Sequence, residues 1–164
     1  MKKLYFDQPQ PDGCIGIFLS DAQAIRAGVS ISSMSVKHKN SEYRFFADAY
    51  DIRFIFDDDV PAIDFYAVPH VEIFAVDSRG GYFCMPGAAD FESGAPVYYI
   101  DKQKKCFLLA DNGQNFLKNA SHWQNSAVPC ADIALYASKA EAEKHHPFID
   151  VSVMPPTAAD AAKA

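Results

Sequence analysis

The pattern of apolar and polar positions is clearest in the middle of the chain. Residues 71–76, VEIFAV, predict a strand, 77–81, DSRGG, a turn, and 82–85, YFCM, the returning strand. Together they read as a hairpin, with Gly80-Gly81 supplying positive φ. A loop containing Gly87 and Gly94 follows over 86–95. A second hairpin then runs through 97–100, VYYI, a polar turn over 101–105, and 106–110, CFLLA. Asp111-Asn112-Gly113 offers a cap, and Phe116, Leu117, Ala120 and Trp123 recur at helical spacing, which predicts an amphipathic helix over about 113–124. Ser138 with Glu141 fits a capping box for a helix that runs to about His146 and stops at Pro147.

The N-terminal third is less regular. The run 14–19, CIGIFL, predicts a strand; Ser20-Asp21 offers an N-cap for a short helix over 22–27, closed by Gly28. Residues 29–41 are polar and carry only some strand alternation. The stretch 43–56, YRFFADAYDIRFIF, is rich in aromatic and β-branched residues and predicts one or two strands, the clearest over 52–56. Asp57-Asp58-Asp59 before Pro61 predicts a loop. Strands come first and helices mostly last, without the alternation of parallel crossovers. The expected fold is therefore α+β: one domain over 1–150, mainly antiparallel sheet with helices packed on one face, and a flexible tail over 151–164.

Charge changes this picture more than composition does. The chain has 164 residues, 49% hydrophobic and 22% charged, a range that excludes wholesale disorder. Its net charge of −6 is unevenly spread: residues 48–101 hold eleven acids and two bases, a net −9, while both flanks are slightly basic. An acidic balance argues against a nucleic-acid partner, because phosphate binding needs Lys and Arg. No run approaches the roughly 18 apolar residues of a membrane span. Asp7 and Pro9 interrupt the N-terminus where a secretory signal would be apolar, so the expected compartment is the cytoplasm, with Cys14, Cys84, Cys106 and Cys130 as reduced thiols.

Little catalytic chemistry stands out. Asp57-Asp58-Asp59 lacks the alternation, central Gly and terminal Glu of a calcium loop. The adjacent His145-His146 lack the i, i+4 spacing of a helical metal pair. Phosphate-binding glycine patterns are absent, and no metal or cofactor is expected. A cysteine hydrolase or transferase would have to draw on Cys84 or Cys106 with His70 or His122, which sequence spacing alone does not bring together. A small-ligand or regulatory module, with an aromatic cleft between sheet and helix, is the other alternative.

Residues 71–117 carry a more specific pattern: a strand ending in Gly80-Gly81, an aromatic return, an acidic loop, Pro96–Asp101 as PVYYID, a short polar turn, an apolar strand, and a helix opening with Phe116-Leu117. This ordered set resembles the SUKH superfamily, which includes bacterial polymorphic-toxin immunity proteins and fungal regulators of cell-wall synthesis. The family's usual Leu-Pro segment has counterparts only in Val60-Pro61 and Val68-Pro69, so the chain resembles a divergent member with its core over about 60–125. The resemblance implies an α+β fold without an active site, acting as a cytoplasmic immunity protein that blocks a toxin domain by direct binding. The acidic segment agrees with a basic protein partner. The expected contact surface is Asp57, Asp58, Asp59, Asp77, Asp90 and Glu92, with Tyr82 and Tyr98 as aromatic anchors.

Overall fold

The structure is a computed structural model, and it describes residues 2–7, 22–87, 92 and 94–148. Along the chain these form β1 (Lys2–Phe6), β2 (Ala22–Arg26), β3 (Val29–Ile31), α1 (Ser41–Tyr50), β4 (Arg53–Phe54), β5 (Tyr66–Val68), β6 (Val71–Val76), β7 (Tyr82–Pro86), β8 (Val97–Ile100), β9 (Cys106–Ala110), α2 (Gly113–Lys118), α3 (Trp123–Ser126), β10 (Val128–Pro129), β11 (Ala134–Tyr136) and α4 (Lys139–Glu143). Short 3-10 turns occupy Val36–His38 and Ala120–His122. The expected strand at 14–19, its Ser20-Asp21 cap and the tail over 151–164 lie outside the described residues.

The centre is a sheet in the order β10-β9-β8-β7-β6-β3, with β4 also paired to β6. The four strands β6 to β9 are successive antiparallel neighbours, as the two hairpins predict. On the far side of β6 the edge is divided: β3 runs parallel from Val29↔Val71 to Ile31↔Ile73, and β4 runs antiparallel through Phe54↔Ala75 and Arg53↔Val76. The fold is α+β.

Strand alternation sends side chains to two faces. One face gathers Phe74, Ala75, Phe83, Met85, Val97, Tyr99, Leu109 and Ala110 beneath Phe116, Ala120 and Trp123. The ring of Phe83 stands edge-on to Trp123 with centroids 4.7 Å apart. Phe83 and Phe116 are almost wholly buried, each burial stabilising by about 1.5–3 kcal/mol. The other face gathers Val71, Ile73, Cys84, Tyr98, Ile100 and Cys106 beneath Phe65 and Ile133. Here the cover is the two-stranded β5–β11 sheet and its flanking loops. Bulges between Ile73 and Ala75 and between Val97 and Tyr98 break the alternation. The first lets Phe74 and Ala75 both join the helix-side cluster. A third cluster, around Ala27, Val68 and Ala142, ties β2, β5 and α4 together, so α4 stands apart from the other helices.

Several expectations change. Residues 22–26 form a strand rather than a helix, because Lys2–Phe6 offers a complete parallel partner from Lys2↔Ala22 to Phe6↔Arg26. Residues 43–50 belong to α1 rather than a strand. Asn40 caps that helix, accepting from the backbone N–H of Glu42 and Tyr43 at 2.9 and 3.3 Å. Asp51 closes it in the left-handed conformation, φ 58°, with its N–H on the Ala47 and Phe46 carbonyls. Tyr43, Phe46, Ala47 and Tyr50 lie on one face of this helix at i, i+3, i+4 and i+7. The helix expected over 113–124 is broken into α2, the 3-10 turn and α3; the one after Ser138 ends at Glu143. Finally, only Gly80 of the glycine pair has positive φ, +85°. Gly81 is required for another reason: a Cβ there would collide with the Tyr99 ring and hydroxyl.

Candidate functional site

A surface groove of about 550 Å3 opens between the first turn of α1 and the β4 edge. Its floor is aromatic. Tyr43 meets Phe54 and Phe56 edge-on, with ring centroids 5.2 and 5.4 Å apart. Its rim carries Lys39, Arg44 and Arg53. Phe56 is held by a bridge to Met34, and the chain beyond it is anchored where Asp57 N–H donates to the Met34 carbonyl at 2.9 Å. The acidic triplet therefore begins at the end of the groove floor. Ser33 donates its hydroxyl to Asp57, and Lys39 Nζ lies 2.6 Å from Asp58 Oδ2 and 5.3 Å from the Phe56 ring centroid. The hydrogen bond from Lys39 holds the Asp58 carboxyl below the usual carboxylate range. Val60, which follows Asp59 in the chain, is also exposed.

The eight predicted contact residues do not form one patch. Asp57, Asp58 and Asp59 are exposed together at the groove end. Asp77 is buried under the β6–β7 turn, accepting from Tyr99 Oη, Gly81 N–H and Arg79 N–H. Tyr98 is also buried, on the opposite face of the sheet, where its hydroxyl donates to Asp132 at 3.2 Å. Burial first, and then Asp132, raise its phenol pKa. Tyr82 is half-buried against Phe65, centroids 5.3 Å apart. Glu92 is exposed in the β7–β8 loop, and Asp90 lies outside the described residues. Other acids of the segment have local partners: Asp64 pairs with Lys104 at 3.1 Å, and Asp101 accepts from Lys105 N–H at 2.9 Å.

The cysteine and histidine groups stay apart. Cys84 is wholly buried in the sheet, and burial raises its thiol well above the ordinary value. Burial, with Cys130 next to it, pushes the Cys106 thiol up to about 12. Among the described residues neither ring nitrogen of His70 has a hydrogen-bond partner, so Cys84, Cys106 and Cys130 do not engage it. His122 is exposed and bonded to the neighbouring Ser121 hydroxyl. Among the described residues, no three His, Cys, Asp or Glu side chains are grouped to hold a metal ion, and no helix is long and apolar enough to cross a membrane.

The aromatic and β-branched pattern over 43–56 reads as one or two strands in the sequence, which hides the groove. The available cue was Asn40 standing immediately before aromatics at helical spacing. Comparison with protein-family models, curated proteins and solved structures found no match.

Proposed function

We propose that this chain is a non-enzymatic protein-binding module, an immunity protein of the cytoplasm that neutralises a basic toxin domain by covering it. The observation that carries this reading is the continuity of the aromatic groove with the exposed acidic triplet. Lys39 is already answered by Asp58, and Arg53 Nε lies 3.5 Å from Asp51. Asp57 and Asp59 form no ion pair among the described residues and remain to meet a partner's cations. Tyr43, Phe54 and Phe56 supply an apolar seat for one inserted side chain, and such anchors carry most of the energy of an interface. The acidic residues speed encounter rather than set affinity. The order of elements over 71–117, with its resemblance to SUKH proteins, supports the same reading.

The test is binding to a basic toxin domain, measured at low and high salt by calorimetry and stopped flow. The expected result is an association rate that falls with salt, slows by about tenfold in the double variant Asp57→Lys, Asp59→Lys, and stays normal in Glu141→Gln. Salt-independent binding, or a rate indifferent to the double reversal, would overturn it.

A further inference from the structure

We propose that the cavity between β2, β3 and β5, with the imidazole of His70 buried in its wall, is a binding site for a small molecule bearing a carboxylate or phosphate group. The cavity measures about 330 Å3, within the range of small-ligand sites. It lies on the β3–β5 side of the sheet and shares no lining residue with the groove beside α1.

The first observation is an unpaired buried group. His70 is 5% exposed, and among the described residues neither Nδ1 nor Nε2 has a hydrogen-bond partner. Its backbone is fully used: the N–H donates to the Arg26 carbonyl at 2.8 Å, and the carbonyl accepts from Gly87 N–H at 3.2 Å. Only the ring is left over. A buried polar atom without a partner costs about 1–3 kcal/mol, a cost that a bound ligand removes. Burial, with the Arg26 charge beside it, holds the ring neutral at pH 7, so it offers one N–H and one lone pair.

The second observation is the set of donors around the same space. Arg26 lines the cavity, is exposed at its mouth, and forms no ion pair among the described residues. The Ser30 hydroxyl, also in the lining, has no hydrogen bond there either. The one carboxylate of the lining, Asp7, is already satisfied: Lys139 Nζ lies 2.9 Å from one oxygen, and Tyr66 Oη donates to the other at 2.9 Å. The charge left unanswered is therefore the positive charge of Arg26. A guanidinium, a hydroxyl and an imidazole N–H suit an oxyanion, and the guanidinium fork suits it bidentately. The rings of Phe65 and Tyr66 supply an apolar wall for the organic part.

The experiment titrates the whole chain at pH 7 and fixed ionic strength with benzoate and phenyl phosphate, using benzamide as the uncharged analogue. Long-range 1H–15N NMR follows the His70 ring. Saturable shifts of that ring are expected with at least one anion, and the tighter of the two identifies the charged group. Affinity should fall about tenfold in Arg26→Gln, a change at an exposed position that leaves the fold intact. His70→Leu should abolish protection against thermal unfolding by the anion, read as a lost shift in Tm. The proposal is overturned if neither anion shifts the ring up to about 50 mM, where Kd values of ordinary weak ligands would be exceeded. It is equally overturned if benzamide binds as well as the anions, or if Arg26→Gln leaves the affinity unchanged.

Discussion

The hydroxyl of Tyr99 donates to the buried carboxylate of Asp77 across a distance of 2.5 Å. Gly81 and Arg79 give two backbone N–H bonds to the same carboxylate, at 2.7 and 3.0 Å. Burying a carboxylate is costly unless it is well hydrogen-bonded, and three donors meet that need. The β6–β7 turn, a buried acid and the central strand β8 are thus one unit.

Removing the hydroxyl in Tyr99→Phe should destabilise the protein by about 1.5–3 kcal/mol, the range for a hydrogen bond to a charged group. Gly81→Ala should cost more. The added methyl meets ring carbon as well as hydroxyl, with Tyr99 Cε1 at 2.6 Å, so Tyr99→Phe should not rescue it. Urea unfolding of the two single variants and the double variant measures both statements.

The cap on α1 is open to a similar measurement. Asn40→Ala should cost about 1 kcal/mol and raise amide exchange across 41–50 ahead of the sheet. Uniform protection across that segment in the variant would show that the Asn40 bonds do not hold the helix end. Because Tyr43 reaches the groove floor from this helix, partner binding should weaken alongside.

The central hairpins were legible in the sequence because their information is local. VEIFAV and CFLLA are apolar runs bounded by turn residues, and Gly80 sits where the backbone needs φ of +85°. The helix α1 was less legible because aromatics favour strands only where a pleated neighbour waits for them. Here Asn40 and Asp51 cap both ends of a helix instead. The strand β2 was hidden for the opposite reason: AQAIR has no strand preference of its own, and its pairing comes from residues about twenty positions away. Of the acidic residues, the triplet was legible as an exposed loop before Pro61. The inward turn of Asp77 depends on Tyr99, 22 residues on, which no local pattern announces.

Stability should depend on pH through His70. Burial and the nearby Arg26 push its imidazole down to about 4, whereas the unfolded chain titrates near the ordinary value of about 6.5. The unfolded state then binds the proton first. The contribution of this group is complete above pH about 6.5 and is lost as pH falls toward 4, by up to about 3 kcal/mol. Denaturant melts between those limits should show the slope, and His70→Leu should flatten it. An unchanged slope in that variant would assign the effect to other groups.

The thiols should be slow to react. In a Cys14→Ser background, alkylation of the native protein at pH 7.5 should modify Cys130 first, since it is the least buried of the three and burial raises the other two further. Cys84 should label only on unfolding. Rapid labelling of Cys84 in the native state, read by mass spectrometry, would contradict its burial in the sheet.

The divided border of β6 has a consequence for how these molecules meet one another. On that side the sheet ends in two fragments, three residues of β3 and two of β4, running in opposite directions. At the other side it ends in two residues of β10, one of them Pro129, which has no N–H to give. Long, regular borders invite strands from other chains to add on, whereas short or proline-bearing ones refuse them. Among the described residues, neither border of this central sheet offers a long, regular template on which a strand of another copy could be laid.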